Sequence, residues 1–165
     1  MHPVVSDSDV IIHLAKLDEL KLLKELFGYV NIPRYVESEV VHDQNNEVVA
    51  IKEAINKGIL KVHNADERKA IKIAKRYGIH IGESHVKEVA ERLKAKVFLS
   101  NEKKVRIAAK LEGFTAVGTI GVILSSVTKK FLTKEEAIGL LNKLKVREFR
   151  IHPSIIKQAT NLLEA

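Results

Sequence analysis

Short apolar runs alternate along the chain with longer stretches in which apolar residues recur every three or four positions. Val4-Val5 is the first run, and Ser6-Asp7-Ser8-Asp9 interrupts it with side-chain oxygens suited to capping the free N–H groups of a helix. Ile11, Leu14, Leu17, Leu20, Leu23 and Leu26 then repeat at three-residue steps, with Asp18 as a break between two helices and Gly28 as the stop. Residues 29–32 predict a strand. Pro33 opens a helix at its first turn, which carries Val36, Glu37, Glu39 and Val40 and runs out in a polar loop, residues 43–46.

The alternation continues to the end. A helix over 48–59 closes near Gly58, a strand follows over 59–62, and Asn64 or Asp66 caps a helix that stops at Gly78. Gly82-Glu83-Ser84 begins an amphipathic helix that leads into the strand KVFL, residues 96–99. Beyond Ser100-Asn101-Glu102 come a helix over 105–111, a strand over 115–117 and, after Gly118-Thr119-Ile120-Gly121, an apolar helix. Thr133 with Glu136 has the spacing of a capping box. Residues 147–151 read as extended, and Pro153 starts a closing helix.

Strands that alternate with helices imply a mainly parallel sheet covered on both faces, an α/β sandwich of three layers. In such a sheet the residues just after strands, or at the starts of the next helices, gather along one edge. Asp7 and Asp9 follow the first strand, Asn101 and Glu102 follow KVFL, Glu83 opens a helix and Glu39 lies on the Pro33 helix. Carboxylates collected at one edge repel unless a cation neutralises them. Cations held by carboxylates activate water against phosphodiesters, so metal-dependent hydrolysis of nucleic acid is the expected chemistry.

Composition narrows this picture without redirecting it. The 165 residues suit one domain, residues 1–165, with a core over 1–124 and a helical extension over 125–165. There is no cysteine, which excludes disulfides and thiolate metal sites. No apolar run approaches the ~20 residues needed to span a bilayer, and no leader pattern precedes the first strand, so a cytoplasmic protein is expected. Abundant Lys, Glu and Ile with a single Met suit a thermophilic source. A formal charge of +7 favours a polyanionic partner, with Lys103, Lys104 and Arg106 beside the acids as candidate phosphate contacts.

Several of these stretches together resemble the PIN-domain nucleases, in particular the archaeal and bacterial branch that contains the toxins of toxin–antitoxin pairs. An apolar strand ending in Asp is matched by VVSDSDVI with Asp7, and a Pro-led second helix with a Glu by IPRYVESEV with Glu39. The third acid is matched by Glu83 in IGESHVKEVA. The stretch after the central strand is matched by VFLSNEKKVRIAAKLEGF, and the Gly-Thr turn by VGTIGVIL. The likeness runs from the first strand to about Leu124 and more weakly beyond. It implies a PIN-like three-layer fold and a ribonuclease using Mg²⁺ or Mn²⁺. As catalytic residues it implies Asp7, Glu39, Glu83 and Glu102, and as metal ligands Asp7, Asp9, Glu83 and Asn101. It also implies RNA as substrate, a homodimer and, for a toxin, a small antitoxin partner. The helices over 10–27 offer an apolar face for pairing subunits.

The family's fourth acid falls here on Asn101-Glu102. Asn101 carries no charge but has a carbonyl able to ligate, Glu102 can take the role from the next position, and Asp9 can return the lost charge. His85 stands where the branch often has a second Glu. Gly118 and Gly121 suit backbone geometry or close packing. Two rivals follow. The D-x-D at Asp7-Asp9 and Ser100 after KVFL fit a haloacid-dehalogenase-type phosphatase, but no Asp follows Asp66 to supply that fold's later acids. The other rival is a catalytically weakened PIN-like module that binds RNA or a protein partner.

Overall fold

The strand-forming segments are short, and the central ones, residues 4–6, 30–33 and 97–99, are largely buried, as strands covered on both faces must be. The computed structural model describes residues 2–42 and 45–165. From the N-terminus, β1 (Val4–Ser6), α1 (Ser8–Lys16), α2 (Lys21–Phe27), β2 (Val30–Pro33), α3 (Arg34–Val40) and α4 (Asn46–Asn56) form the first half. β3 (Leu60–His63), α5 (Glu67–Tyr77), α6 (Ile81–Arg92), β4 (Val97–Leu99), α7 (Lys103–Leu111) and β5 (Thr115–Val117) follow. α8 (Thr119–Thr128), α9 (Lys134–Lys143) and α10 (Pro153–Glu164) end the chain. All strand pairs are parallel and the sheet order is β3-β2-β1-β4-β5, within a three-layer α/β/α sandwich.

Local punctuation accounts for most element ends. Asp18 takes a left-handed conformation (φ 57°) between α1 and α2, and Gly28 (φ 76°) closes α2. Asp66 caps α5 through Lys69 N, Gly78 ends it in the left-handed region, and Thr133 with Glu136 forms the capping box of α9.

Four readings shift. Pro33 ends β2 and stands one position before α3, because its extended backbone (ψ 154°) belongs to the strand. Of the polar loop, Asp43 and Gln44 lie outside the described residues, while Asn45 caps α4 through Val48 N. The stretch over 147–151 is not extended. Arg147–Phe149 is a single 3₁₀ turn that drives Phe149 into the core, its ring 5.2 Å from His13. The boundary at Leu124 falls inside α8, which continues to Thr128.

The core is continuous through the whole order of elements. Val5, Ile11, Leu14 and Leu23 are fully buried in it together with Leu141 and Leu144 of the last helices. The apolar face over residues 10–27 is thus consumed inside the fold, with α1 against α3, α4 and α8 and α2 against α8, and is not available for subunit pairing. No helix of the described residues is long and apolar enough to cross a membrane.

Candidate active site at the switch point of the sheet

β1 pairs with β2 on one side and β4 on the other, so the chain reverses its winding at the end of β1. Open α/β sheets bind ligands at such a point. Asp7 stands there. Its N–H donates to Leu99 O at 3.0 Å, holding it to β4, and its carboxylate caps α1 by accepting from Val10 N at 3.4 Å. Ser100, fully buried, hydrogen-bonds the Asp7 carboxyl and accepts from Glu102 N at 3.1 Å, so one hydroxyl aligns both acids.

Asp7 shares a cleft of about 330 Å³ with Asp9, Glu39, His80, Glu83 and Glu102. Burial pushes the Asp7 carboxyl up to about 7, with repulsion from Asp9 and Glu102 adding to the rise and the Ser100 and Val10 bonds opposing it. Glu102 is raised too, first by a hydrogen bond with Glu83 and then by desolvation and by the charges of Glu83 and Asp9. Burial raises Glu39, which His80 pulls down and Asp9 pushes up. The cleft therefore carries more negative charge than its surroundings neutralise.

Glu83 is held by a capping box. Its carboxylate accepts from His80 N at 3.2 Å, and His80 Nδ1 accepts from Gly82 N at 3.1 Å. A Cβ on Gly82 would stand 2.5 Å from the Tyr35 ring, so only glycine lets α6 seat against α3 here. His80 was not singled out by sequence, and Ser100 only within the rival phosphatase reading. The H-x-x-E spacing from His80 to Glu83 was the available signal for the first, and a hydroxyl directly after β4 for the second.

Asn101 does not join the cleft. Its Oδ1 accepts from Thr119 N at 2.8 Å, and its Nδ2 donates to Thr119 Oγ1 at 2.9 Å and lies 3.1 Å from His13 Nδ1. It caps α8 from the end of β4. Gly118 leaves room for it, since a Cβ there would come within 2.7 Å of Asn101 Oδ1. The side-chain oxygen expected to face a metal is turned instead to the start of α8, and Asn101 does not line the cleft. His85 lies 3.1 Å from Glu67 and against Tyr35, and does not line the cleft. Lys103, Lys104 and Arg106 are exposed on α7, next to Glu102.

Restoring the missing acid should accordingly do little for the cleft. In Asn101→Asp the new carboxylate keeps its bond to Thr119 N, favoured by the α8 dipole. His13, now held below the usual imidazole range by burial, then gains an anionic partner. NMR titration should find the His13 pKa raised by about one unit or more. Manganese affinity should stay within about threefold of native, and a tenfold gain would put position 101 among the ligands after all.

All five carboxylates offer hard oxygen donors, the set that divalent Mg²⁺ or Mn²⁺ prefers. Among the described residues no three His, Asp or Glu side chains are yet grouped closely enough to hold an ion. The fit lies in the donor chemistry, namely the carboxylates of Asp7, Asp9, Glu39, Glu83 and Glu102 gathered in one cleft.

No curated protein matches the chain. A crystal structure, PAE2754 from Pyrobaculum aerophilum, is similar at 15% identity and a TM-score of 0.48, covering 72% of this chain and 91% of that one. A family model described as PIN domain matches residues 3–165. With that match spanning nearly its whole length, the chain belongs to the PIN-domain family.

Proposed function

We propose that the chain is a divalent-metal-dependent endoribonuclease working at the cleft around Asp7, with the toxin of a toxin–antitoxin pair as its setting. Family membership supports a nuclease-like module in general. The observation that carries the finer reading is the excess of carboxylates in one cleft, with Asp7 raised to about 7 and Glu102 hydrogen-bonded to Glu83. A purely structural cluster gains nothing from that repulsion. RNA is named as substrate because PIN domains typically bind it.

Asp7, Glu83 and Glu102, with Asp9 beside them, would hold Mg²⁺ or Mn²⁺. The bound ion would supply Lewis-acid activation of water and neutralise charge on the phosphodiester. Ser100 and Val10 N–H fix the Asp7 carboxylate, and the His80 backbone fixes Glu83. Glu39, its carboxyl raised by burial, lines the cleft and is suited to accept a proton from a water there. Lys103, Lys104 and Arg106 stand ready to hold the substrate's phosphates. A homodimer, if formed, would use a face other than α1 and α2, and a small antitoxin would block the cleft.

The commitment of Asn101 to Thr119 favours one second reading, a PIN module that binds RNA or a protein without cutting. Calorimetric titration with manganese, native protein beside Asp7→Asn, separates the two. Binding by the native protein that is lost in the variant supports the nuclease. No binding at millimolar manganese sinks it and leaves the binding module.

A further inference from the structure

Beside the acidic cleft lies a second, larger pocket, about 560 Å³, between α6 and α7. His80, Glu83, Glu102 and Val105 line both, so the two are one continuous depression. Its size is that of a small-molecule site and not of a packing defect. Ala90, Ala108 and Ala109 open the space between the helices, and the rings of Tyr77, Phe98 and Phe114 border it. Besides the shared His80, Glu83 and Glu102, its polar groups include Lys87, paired with Glu91 and Glu112 and standing 4.8 Å from the Tyr77 ring centroid.

We infer that this pocket takes an unstacked nucleobase of single-stranded RNA, next along the strand from the phosphate that would be cut at the acidic cleft. The inference rests on the nuclease reading for the placement of that phosphate. Single-stranded RNA is recognised by splaying bases onto aromatic side chains and hydrogen-bonding their edges. Aromatic walls around an ammonium and a carboxylate supply both parts of that recognition. An apolar side chain from a protein would instead bury the Lys87–Glu112 pair without hydrogen bonds to replace its water.

Charge complementarity points the same way. α5 ends at Tyr77 and carries Arg68, Lys69, Lys72, Lys75 and Arg76, all exposed and none in a salt bridge among the described residues. Arg76 lies 5.4 Å from the Tyr77 ring centroid, and Lys104 lines the pocket from the other side. A phosphate backbone following these cations arrives at the pocket mouth.

The test is fluorescence anisotropy in EDTA, where nothing is cut, with labelled hexauridylate, labelled hexaadenylate and an abasic hexamer of equal charge. The native protein should bind at least one of the two base-bearing strands about tenfold more tightly than the abasic one. Ala108→Phe, an exposed position that fills the pocket, should abolish that preference while leaving abasic binding unchanged. Tyr77→Ala should weaken the preferred base-bearing strand about fivefold or more. Equal affinity for all three strands, no measurable binding, or a full base preference retained in Ala108→Phe would each overturn the assignment. Metal is absent throughout, so a failed manganese titration leaves this result standing. Base-blind binding combined with manganese-dependent cleavage would remove the pocket and keep the nuclease.

Discussion

Asp7→Asn should raise the melting temperature of the metal-free protein at pH 8 while abolishing metal binding and lowering RNA cleavage by about 10²–10³-fold. The stability half follows from proton linkage. The carboxyl has its ordinary value of 3.8 in the unfolded chain and about 7 in the fold. Between those values the folded state binds the extra proton, so stability falls as pH rises through that window, and the penalty is complete above 7. Three units correspond to at most about 4 kcal/mol, reduced by solvent in the cleft. Asparagine removes the charge and keeps an oxygen for Val10 N–H. A gain of about 2 kcal/mol is about 4–8 °C for a chain of this length. Melts in EDTA should diverge at pH 8 and converge near pH 4, where the native carboxyl is protonated in the fold. A variant that melts lower than native at pH 8 would show that Asp7 is structural. Gain of stability with loss of activity is the mark of a residue kept for chemistry.

A chain ending at Thr128 should fail to fold. Residues 129–165 include Leu140, Leu141, Leu144, Phe149, Ile156 and Leu163, all within the continuous core. Burial of such side chains is worth about 1.5–3 kcal/mol each. Their removal uncovers α8, which packs against both α9 and α10, and exposes His13 beneath Phe149. The loss is on the order of 10 kcal/mol, comparable with the whole stability of a domain. Circular dichroism should show residual helix without a cooperative melt, and a hydrophobic dye should bind. A soluble fragment with a sharp melt would make the last two helices a true extension. The same experiment would then validate a boundary near Leu124.

What was legible in the sequence was local. Gly28, Gly78 and the Thr133–Glu136 pair stop or start helices through their own backbone needs, and the structure obeys each. The acids at 7, 9, 83 and 102 were readable because each follows a strand or opens a helix, Glu39 because it lies on the helix after Pro33, and the cleft gathers them. Asn101 was not readable, since its partners Thr119 and His13 lie 18 and 88 residues away. The turn at Arg147–Phe149 fails for a related reason. Its polar and apolar residues alternate as in a strand, and the contacts that hold Phe149 inward, the His13 ring among them, come from far along the chain. The apolar repeat over 10–27 was seen, but periodicity cannot say whether a face meets its own core or a second subunit.

The pairing of Val4 with Val97 has a kinetic side. Asp7 and Glu102 sit on segments separated by most of the chain, and only the docking of β4 beside β1 brings them together. Until that late, entropically costly contact forms, the folding chain meets little of its own repulsion. Charge removal in the cleft should therefore slow unfolding and scarcely change the folding rate. The acids gathered in the cleft set how long the native state lasts, not how quickly it is reached.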